Sequence, residues 1–394
     1  MEHITNAIKL KDNIPELYYN RALTYYANND FQKAINDFKI TIDLGYENGI
    51  LYFDFAGAYY NIQDYNSAIS CLSKALKFNP DNPNIFTNRG NLYLIIKNYN
   101  SALTDYNEAL SMNPHDPYVY CNRANLYYQI NEYKKSTRDY EKCIQFGIEN
   151  SKTYLNSGLA YFQLNEYKKS LEFYNKSISI DNNNFITFYL RGLAFFNLNK
   201  YKKSIEDFTK AFNLGLVDWY IHFNRGKAYI MLEYYNLAIS DFTDAIKKNP
   251  DEQELFDLRA RTYYHLKDYN SAKKDYFEVL EFNPENPNYI QDLIELELIL
   301  GENILSREYI FNLLKITAEP KHRIIGYFFL CINSILLNEN IDECYSDFKK
   351  IANSDINIDW DFTDLDYWID NVKLNSNIKG KIKNLILELK QLAK

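Results

Sequence analysis

The chain has 394 residues but only 12 glycines and 9 prolines, too few turn residues for a β-rich or loop-rich protein. Hydrophobic content of 46% and charge of 24% exclude long disorder, and the net charge of −8 disfavours a general nucleic-acid binder. Cys71, Cys121, Cys143, Cys331 and Cys344 form no C-x-x-C pair and no disulfide framework, so a reducing, cytoplasmic setting is expected.

Residues 1–14 open the chain with Ile4, Ala7, Ile8 and Leu10 at helical spacing. Met1-Glu2-His3-Ile4 lacks the basic start and apolar run of a signal peptide, so none is expected, and the apolar run 324–337 is shorter than the roughly 20 residues of a membrane span. No membrane insertion is expected. From Pro15 to Asn286 one 34-residue unit then recurs eight times without insertion or deletion. Ala34, Ala68, Ala102, Ser136, Ser170, Ser204, Ala238 and Ala272 mark the same place in each. Positions below are counted within a repeat, from Pro15 as position 1 of repeat 1.

Position 8 is always Gly or Ala, and positions 11 and 17 are always aromatic. Position 24 is aromatic in every repeat but the second, which has Leu72. The spacing of positions 4, 8 and 11, and of 17, 20, 24, 27 and 28, places each set on one helix face. Each repeat is therefore read as two short amphipathic helices, A then B, with small residues where the helices approach. Eight of the nine prolines sit at position 1 or 32, where they start or follow a helix, and Pro320 closes the window after repeat 8. Repeats 1, 4 and 6 instead carry Gly45, Gly147 and Gly215 before an apolar residue, a helix C-cap pattern.

Past residue 286 the repeat signature fades while the helical period persists. Residues 287–300 and 304–317 read as a degenerate helix pair, and 321–337 with 340–353 as another. Thr363 and Asp366 resemble a capping box opening a further helix, and Lys379 to Leu392 is a last amphipathic one. The expected organisation is a partial repeat at 1–14, eight repeats at 15–286, and degenerate helices with a C-terminal cap at 287–394. Residues 1–14 are either a cap formed by a leftover helix B or the continuation of a longer chain.

The small residue at 8, the aromatics at 11 and 24, Ala at 20 and Pro at 32 resemble the tetratricopeptide repeat. The resemblance implies an all-α, right-handed superhelical solenoid of antiparallel helix pairs with C-terminal capping helices. It also implies a non-catalytic scaffold that binds an extended peptide or protein segment in a groove lined by helix A. Two other roles fit the same resemblance: an architectural solenoid that self-associates end to end, and a regulatory subunit of an enzyme or secretion system.

Two sets of residues stand out. Arg fills position 7 in six repeats (Arg21, Arg89, Arg123, Arg191, Arg225, Arg259), and Asp fills position 23 in the same six (Asp37, Asp105, Asp139, Asp207, Asp241, Asp275). The two lacking Arg also lack Asp, with Phe55 and Cys71 in one and Ser157 and Phe173 in the other. This co-occurrence predicts structural Arg–Asp pairs within each repeat, not a basic stripe for a ligand. The second set is Asn at position 6: Asn20, Asn88, Asn122, Asn156 and Asn224. A carboxamide both donates and accepts, so a ladder of them suits the backbone of an extended chain. It resembles the asparagine ladder in the repeat domain of O-GlcNAc transferase. The expected site is in repeats 3 to 5, with Asn88, Asn122 and Asn156 beside Asn91, Asn125, Tyr118, Tyr128, Phe162 and the cation Lys152. A carboxylate clamp of the kind found in chaperone-binding relatives is matched only at Asn91, Asn122 and Lys152; Thr87 and Asn156 stand where basic residues are expected. No nucleophile elbow, phosphate loop or H-E-x-x-H occurs, so neither enzyme nor cofactor is expected. The acidic run Asp355, Asp359, Asp361, Asp364, Asp366, Asp370 lacks the Gly and closing Glu of a calcium loop, so no metal is expected either.

Overall fold

A computed structural model describes residues 2–301, 303–352 and 363–392, of which 303–306, 363, 364 and 392 are described by their backbone alone. Every regular element among the described residues is an α-helix. The A helices of the eight repeats are Pro15–Ala27, Gly49–Asn61, Pro83–Ile95, Pro117–Gln129, Ser151–Gln163, Phe185–Asn197, Trp219–Ile230 and Gln253–His265. The B helices are Phe31–Asp43, Tyr65–Phe78, Tyr99–Met112, Tyr133–Gln145, Tyr167–Ile180, Tyr201–Asn213, Tyr235–Lys248 and Tyr269–Phe282. Glu2–Leu10 precedes them, and Pro287–Leu300, Asn303–Ile316, Pro320–Leu336, Asp342–Ala352, Thr363–Asn371 and Ser376–Leu392 follow. Thr363, as a cap, and Asp355, Asp359, Asp361 and Asp364 lie outside the described side chains.

The helices group into two compact bodies, Met1–Asn199 and Lys200–Lys394. Within each body the A and B helices of a repeat pack as an antiparallel hairpin, and each B helix packs on the next A helix. Repeat 6 gives its A helix to the first body and its B helix to the second.

Local chemistry sets the helix ends. The residue at position 34 caps the following A helix: Asn48, Asn82, Asp116, Asn150 and Asn184 each accept from a backbone N–H two or three residues on. Gly45, Gly147 and Gly215 end their B helices with φ of 84°, 107° and 109°. The next residue then donates back five residues, as from Tyr46 N–H to the Thr41 carbonyl at 3.2 Å. The A helices end the same way without glycine. Position 15 has positive φ in all eight repeats, whether it is Asn29, Gln63, Lys97 or Glu233.

Position 24 explains position 8. A Cβ on Gly90 would lie 2.9 Å from the Tyr106 ring, and one on Gly158 would lie 2.6 Å from Tyr174. In these repeats the aromatic ring of helix B occupies the space of a Cβ on helix A, and in the others position 8 is no larger than Ala. In the second body, Ile294, Ile324, Phe328, Phe329, Leu365, Trp368, Ile382 and Leu389 form one buried cluster. The degenerate helices thus share a core of their own. Among the described residues no helix is long and apolar enough to cross a membrane.

Candidate binding face

Of the six Arg–Asp combinations, five lie within a single body. In each, Nε and Nη2 of the arginine donate to the two carboxylate oxygens of the aspartate: Arg21 to Asp37, Arg89 to Asp105, Arg123 to Asp139, Arg225 to Asp241 and Arg259 to Asp275, all at 2.6–2.9 Å. The carboxylates are buried, with 4–6% of the side chain exposed. Arg191 and Asp207 lie in different bodies.

The third guanidinium nitrogen shows what the sequence pattern did not. Nη1 donates to position 25 of the preceding repeat: Arg89 to Ser73, Arg123 to Asn107, Arg191 to Asn175, Arg225 to Thr209 and Arg259 to Thr243, at 2.7–3.2 Å. One arginine therefore ties helix A to its own helix B and to the previous one. This fixes geometry between repeats and leaves no arginine stripe for a ligand. Where the pair is missing, rings fill the place. Phe55 packs on Phe38 and Tyr59, and Phe173 stacks on Tyr161 with centroids 5.3 Å apart.

The asparagines form a network across repeats. Asn122 Nδ2 donates to Asn91 Oδ1 at 2.9 Å, and Tyr106 Oη donates to the same oxygen at 2.7 Å. One repeat later, Asn156 Nδ2 donates to Asn125 Oδ1 at 3.3 Å, and Tyr140 Oη to that oxygen at 2.5 Å. The motif joins position 6 to positions 9 and 24 of the preceding repeat. Burial pushes both phenols far above their usual range, so they remain donors. The structure thus brings Asn91, Asn122, Asn125 and Asn156 together. Asn88 is exposed, and its side chain makes no hydrogen bond to another described residue.

The other expected groove residues divide. Tyr118 is 69% exposed and Lys152 is exposed. Tyr128 and Phe162 are half-buried, each set edge-on against the position-17 ring of its own repeat, Tyr133 or Tyr167, with centroids 5.2–5.4 Å apart. The expectation that all the cysteines are reduced is corrected. Cys121 and Cys143 are joined as a disulfide inside repeat 4, with Cα atoms 5.4 Å apart. Position 5 of helix A and position 27 of helix B face each other, although 22 residues separate them in sequence. Cys71, Cys331 and Cys344 are free and buried.

The chain matches two family models, one described as "TPR repeat" at residues 56–95, 90–131 and 158–199, the other as "Tetratricopeptide repeat" at 15–39, 117–146, 187–214 and 254–286. The matches of the second model follow single A–B helix pairs, and those of the first run from one helix A through helix B to the next helix A. The chain belongs to the tetratricopeptide-repeat family. A search of the curated proteins gives no match. Among solved structures, the C-terminal part of a TPR repeat-containing protein from Cytophaga hutchinsonii is 20% identical, covering 61% of this chain and 98% of that one with a TM-score of 0.53. A tetratricopeptide repeat protein from Parabacteroides merdae is 21% identical over 63% of this chain and 98% of its own, with a TM-score of 0.47. YrrB, described as a TPR protein with an unusual peptide-binding site, is 20% identical over 50% and 97%, with a TM-score of 0.44. At these identities the likeness is one of fold.

Within the tetratricopeptide array the network of positions 24, 9 and 6 recurs once more in a charged form. Tyr276, Arg261 and Asp292 occupy the three places, and Asp257 accepts from Arg261 Nε at 2.9 Å. Burial, opposed by Arg261 and reinforced by Asp257, raises the Asp292 carboxyl to about 7. Tyr264 Oη donates to Glu295 at 3.0 Å beside it.

Proposed function

We propose that this chain is a non-catalytic interaction scaffold that holds an extended segment of a partner protein along helices A of repeats 3 to 5. The carboxamide network carries the reading. Asn91 and Asn125 use their oxygens internally and keep Nδ2; Asn122 and Asn156 use Nδ2 and keep their oxygens. Each step thus offers one donor and one acceptor, the complement of one peptide unit, in side chains already locked by a tyrosine. Residues 287–394 act in this proposal as the cap of the array, because a stack of repeats exposes core at its ends.

The test is Asn122→Ala combined with Asn156→Ala against a captured partner segment. Two hydrogen-bonding amides at about 1 kcal/mol each predict roughly thirtyfold weaker binding with an unchanged fold. Affinity should fall only weakly with salt, since the face binds through amides and apolar area. Unchanged affinity moves the binding site elsewhere.

A further inference from the structure

Repeats 3 and 4 fill the space between successive A helices with their own tyrosine and asparagine. Repeat 2 does not. Its position 24 is Leu72 and its position 9 is Gly57, while Asn88 still stands at position 6 of the next repeat. The result is a cavity of about 340 Å³ lined by Phe53, Gly57, Tyr60, Leu72, Asn88 and Ile95, among others. For scale, an enclosed apolar cavity of about 150 Å³ holds benzene. Gly57 cannot carry the missing asparagine without a shift, because a Cβ there would lie 3.1 Å from Tyr26 Oη. That hydroxyl is in turn held by Asn61 Nδ2 at 3.2 Å.

We infer that this cavity is a side-chain pocket for one aromatic residue, tyrosine in first place, of an extended partner segment. The inference rests on the scaffold reading above and names the residue that the groove selects. Three observations choose the occupant. The chain shows what fits, since the phenols of Tyr106 and Tyr140 occupy the corresponding place one and two repeats on, each bonded to a carboxamide. No residue lining the cavity is charged, so a Lys, Arg, Asp or Glu side chain would lose hydration without a counter-ion. Asn88, whose side chain makes no hydrogen bond to another described residue, supplies the carboxamide that a phenol needs. Phe53, Tyr60 and Ile95 are 36%, 51% and 44% exposed at the mouth, which leaves the pocket open to a chain passing along the groove.

The experiment titrates the full chain with N-acetyl-tyrosinamide, N-acetyl-phenylalaninamide and N-acetyl-lysinamide, read by NMR at the Gly57 N–H and the Asn88 carboxamide. The tyrosine amide should bind saturably, the phenylalanine amide several-fold more weakly, and the lysine amide not at all. Leu72→Tyr should weaken tyrosinamide at least tenfold, because the protein's own ring then fills the pocket. Repeats 4 and 8 already place Tyr140 and Tyr276 over an alanine at position 8, as Ala56 would be here. Ile95→Lys, at an exposed wall position, should weaken it as much, and Asn88→Leu should abolish the preference for tyrosine over phenylalanine. Tyrosinamide that fails to saturate, or that binds both filled variants as well as the original, overturns the pocket. A partner segment that depends on Asn122 and Asn156 but ignores Leu72→Tyr overturns the pocket and leaves the scaffold reading standing. Tyrosinamide binding that survives when no segment engages Asn122 and Asn156 does the reverse.

Discussion

Asp139→Ala should destabilise repeat 4 by about 3–5 kcal/mol, the usual cost of leaving one partner of a buried ion pair alone. The carboxylate accepts two bonds from Arg123, at 2.6 and 2.9 Å, and is 6% exposed; the guanidinium is 16% exposed. Without Asp139 the cation keeps a hydrogen bond to Asn107 Oδ1, at 2.7 Å on the preceding helix B, and the faces of the Tyr120 and Tyr127 rings, but no counter-ion. The loss should appear as faster hydrogen exchange of the amides in Pro117–Gln129 and Tyr133–Gln145, since an array unfolds locally before it unfolds globally. Arg123→Ala should also be costly, and the double variant should cost less than the two single changes added together. Repeat 5 goes further, because there Ser157 and Phe173 stand at the same two positions and Phe173 stacks on Tyr161. Transplanting that combination as Arg123→Ser with Asp139→Phe should recover most of the loss, as apolar replacement of a buried ion pair often does. Additive losses would show that the two side chains do not interact, and a transplant no better than the single changes would show that a ring does not replace the pair in repeat 4.

This pair also marks how far the sequence reads. The 34-residue period, the alternation of small and aromatic positions and the co-occurrence of Arg at 7 with Asp at 23 are intra-repeat constraints. They recur at a fixed spacing, so eight copies expose them. The glycine C-caps were legible because φ near 100° selects glycine. The left-handed residue closing each A helix was not, because φ near 60° tolerates Asn, Gln, Lys or Glu and leaves no single signature. The bond from arginine to position 25 was hidden for a related reason: Ser, Asn and Thr all accept there.

The face of helix A was less legible still. Its network runs through positions 24, 9 and 6 of two neighbouring repeats, with side chains that change together. The carboxamides form it in repeats 3 to 5, a gap replaces it after repeat 2, and charge replaces it after repeat 8. The sequence places Asn91 and Asn125 beside Asn122 and Asn156, but not the bonds by which their oxygens accept from these amides and from Tyr106 and Tyr140. It gave Leu72 as an exception to a pattern without showing that the exception opens a cavity. The disulfide escaped because facing positions within one helix hairpin have no C-x-x-C spacing.

The charged form of the network gives the protein an unusual pH response. A carboxylate held by partners is normally stabilised in its charged form, so stability is lost as pH falls. Asp292 runs the other way. Burial raises its carboxyl to about 7, against about 3.9 in an unfolded chain. Between those values the folded state holds a proton that the unfolded state has released. Stability should therefore fall as pH rises from about 4 to about 7 and level off above, by at most about 4 kcal/mol from this group. Asp257 is shifted upward by burial as well and works in the same direction. Tyr276, Tyr289, Tyr264, Arg261 and Glu295 also face this site, and Arg261 opposes the shift by favouring the charged carboxylate. Asp292→Asn keeps an oxygen for the Tyr276 hydroxyl, as the Asn91 carboxamide does for Tyr106 from position 9, and it leaves Arg261 its bond to Asp257. The variant should match the original protein near pH 4 and exceed it in stability at pH 8, with a flatter profile between. Denaturant melts followed through Trp219 and Trp368 in the second body, taken at half-unit steps of pH, would show it. An unchanged slope between pH 4 and 7 would mean that Asp292 is already ionised across that range and that Arg261, not burial, sets its charge.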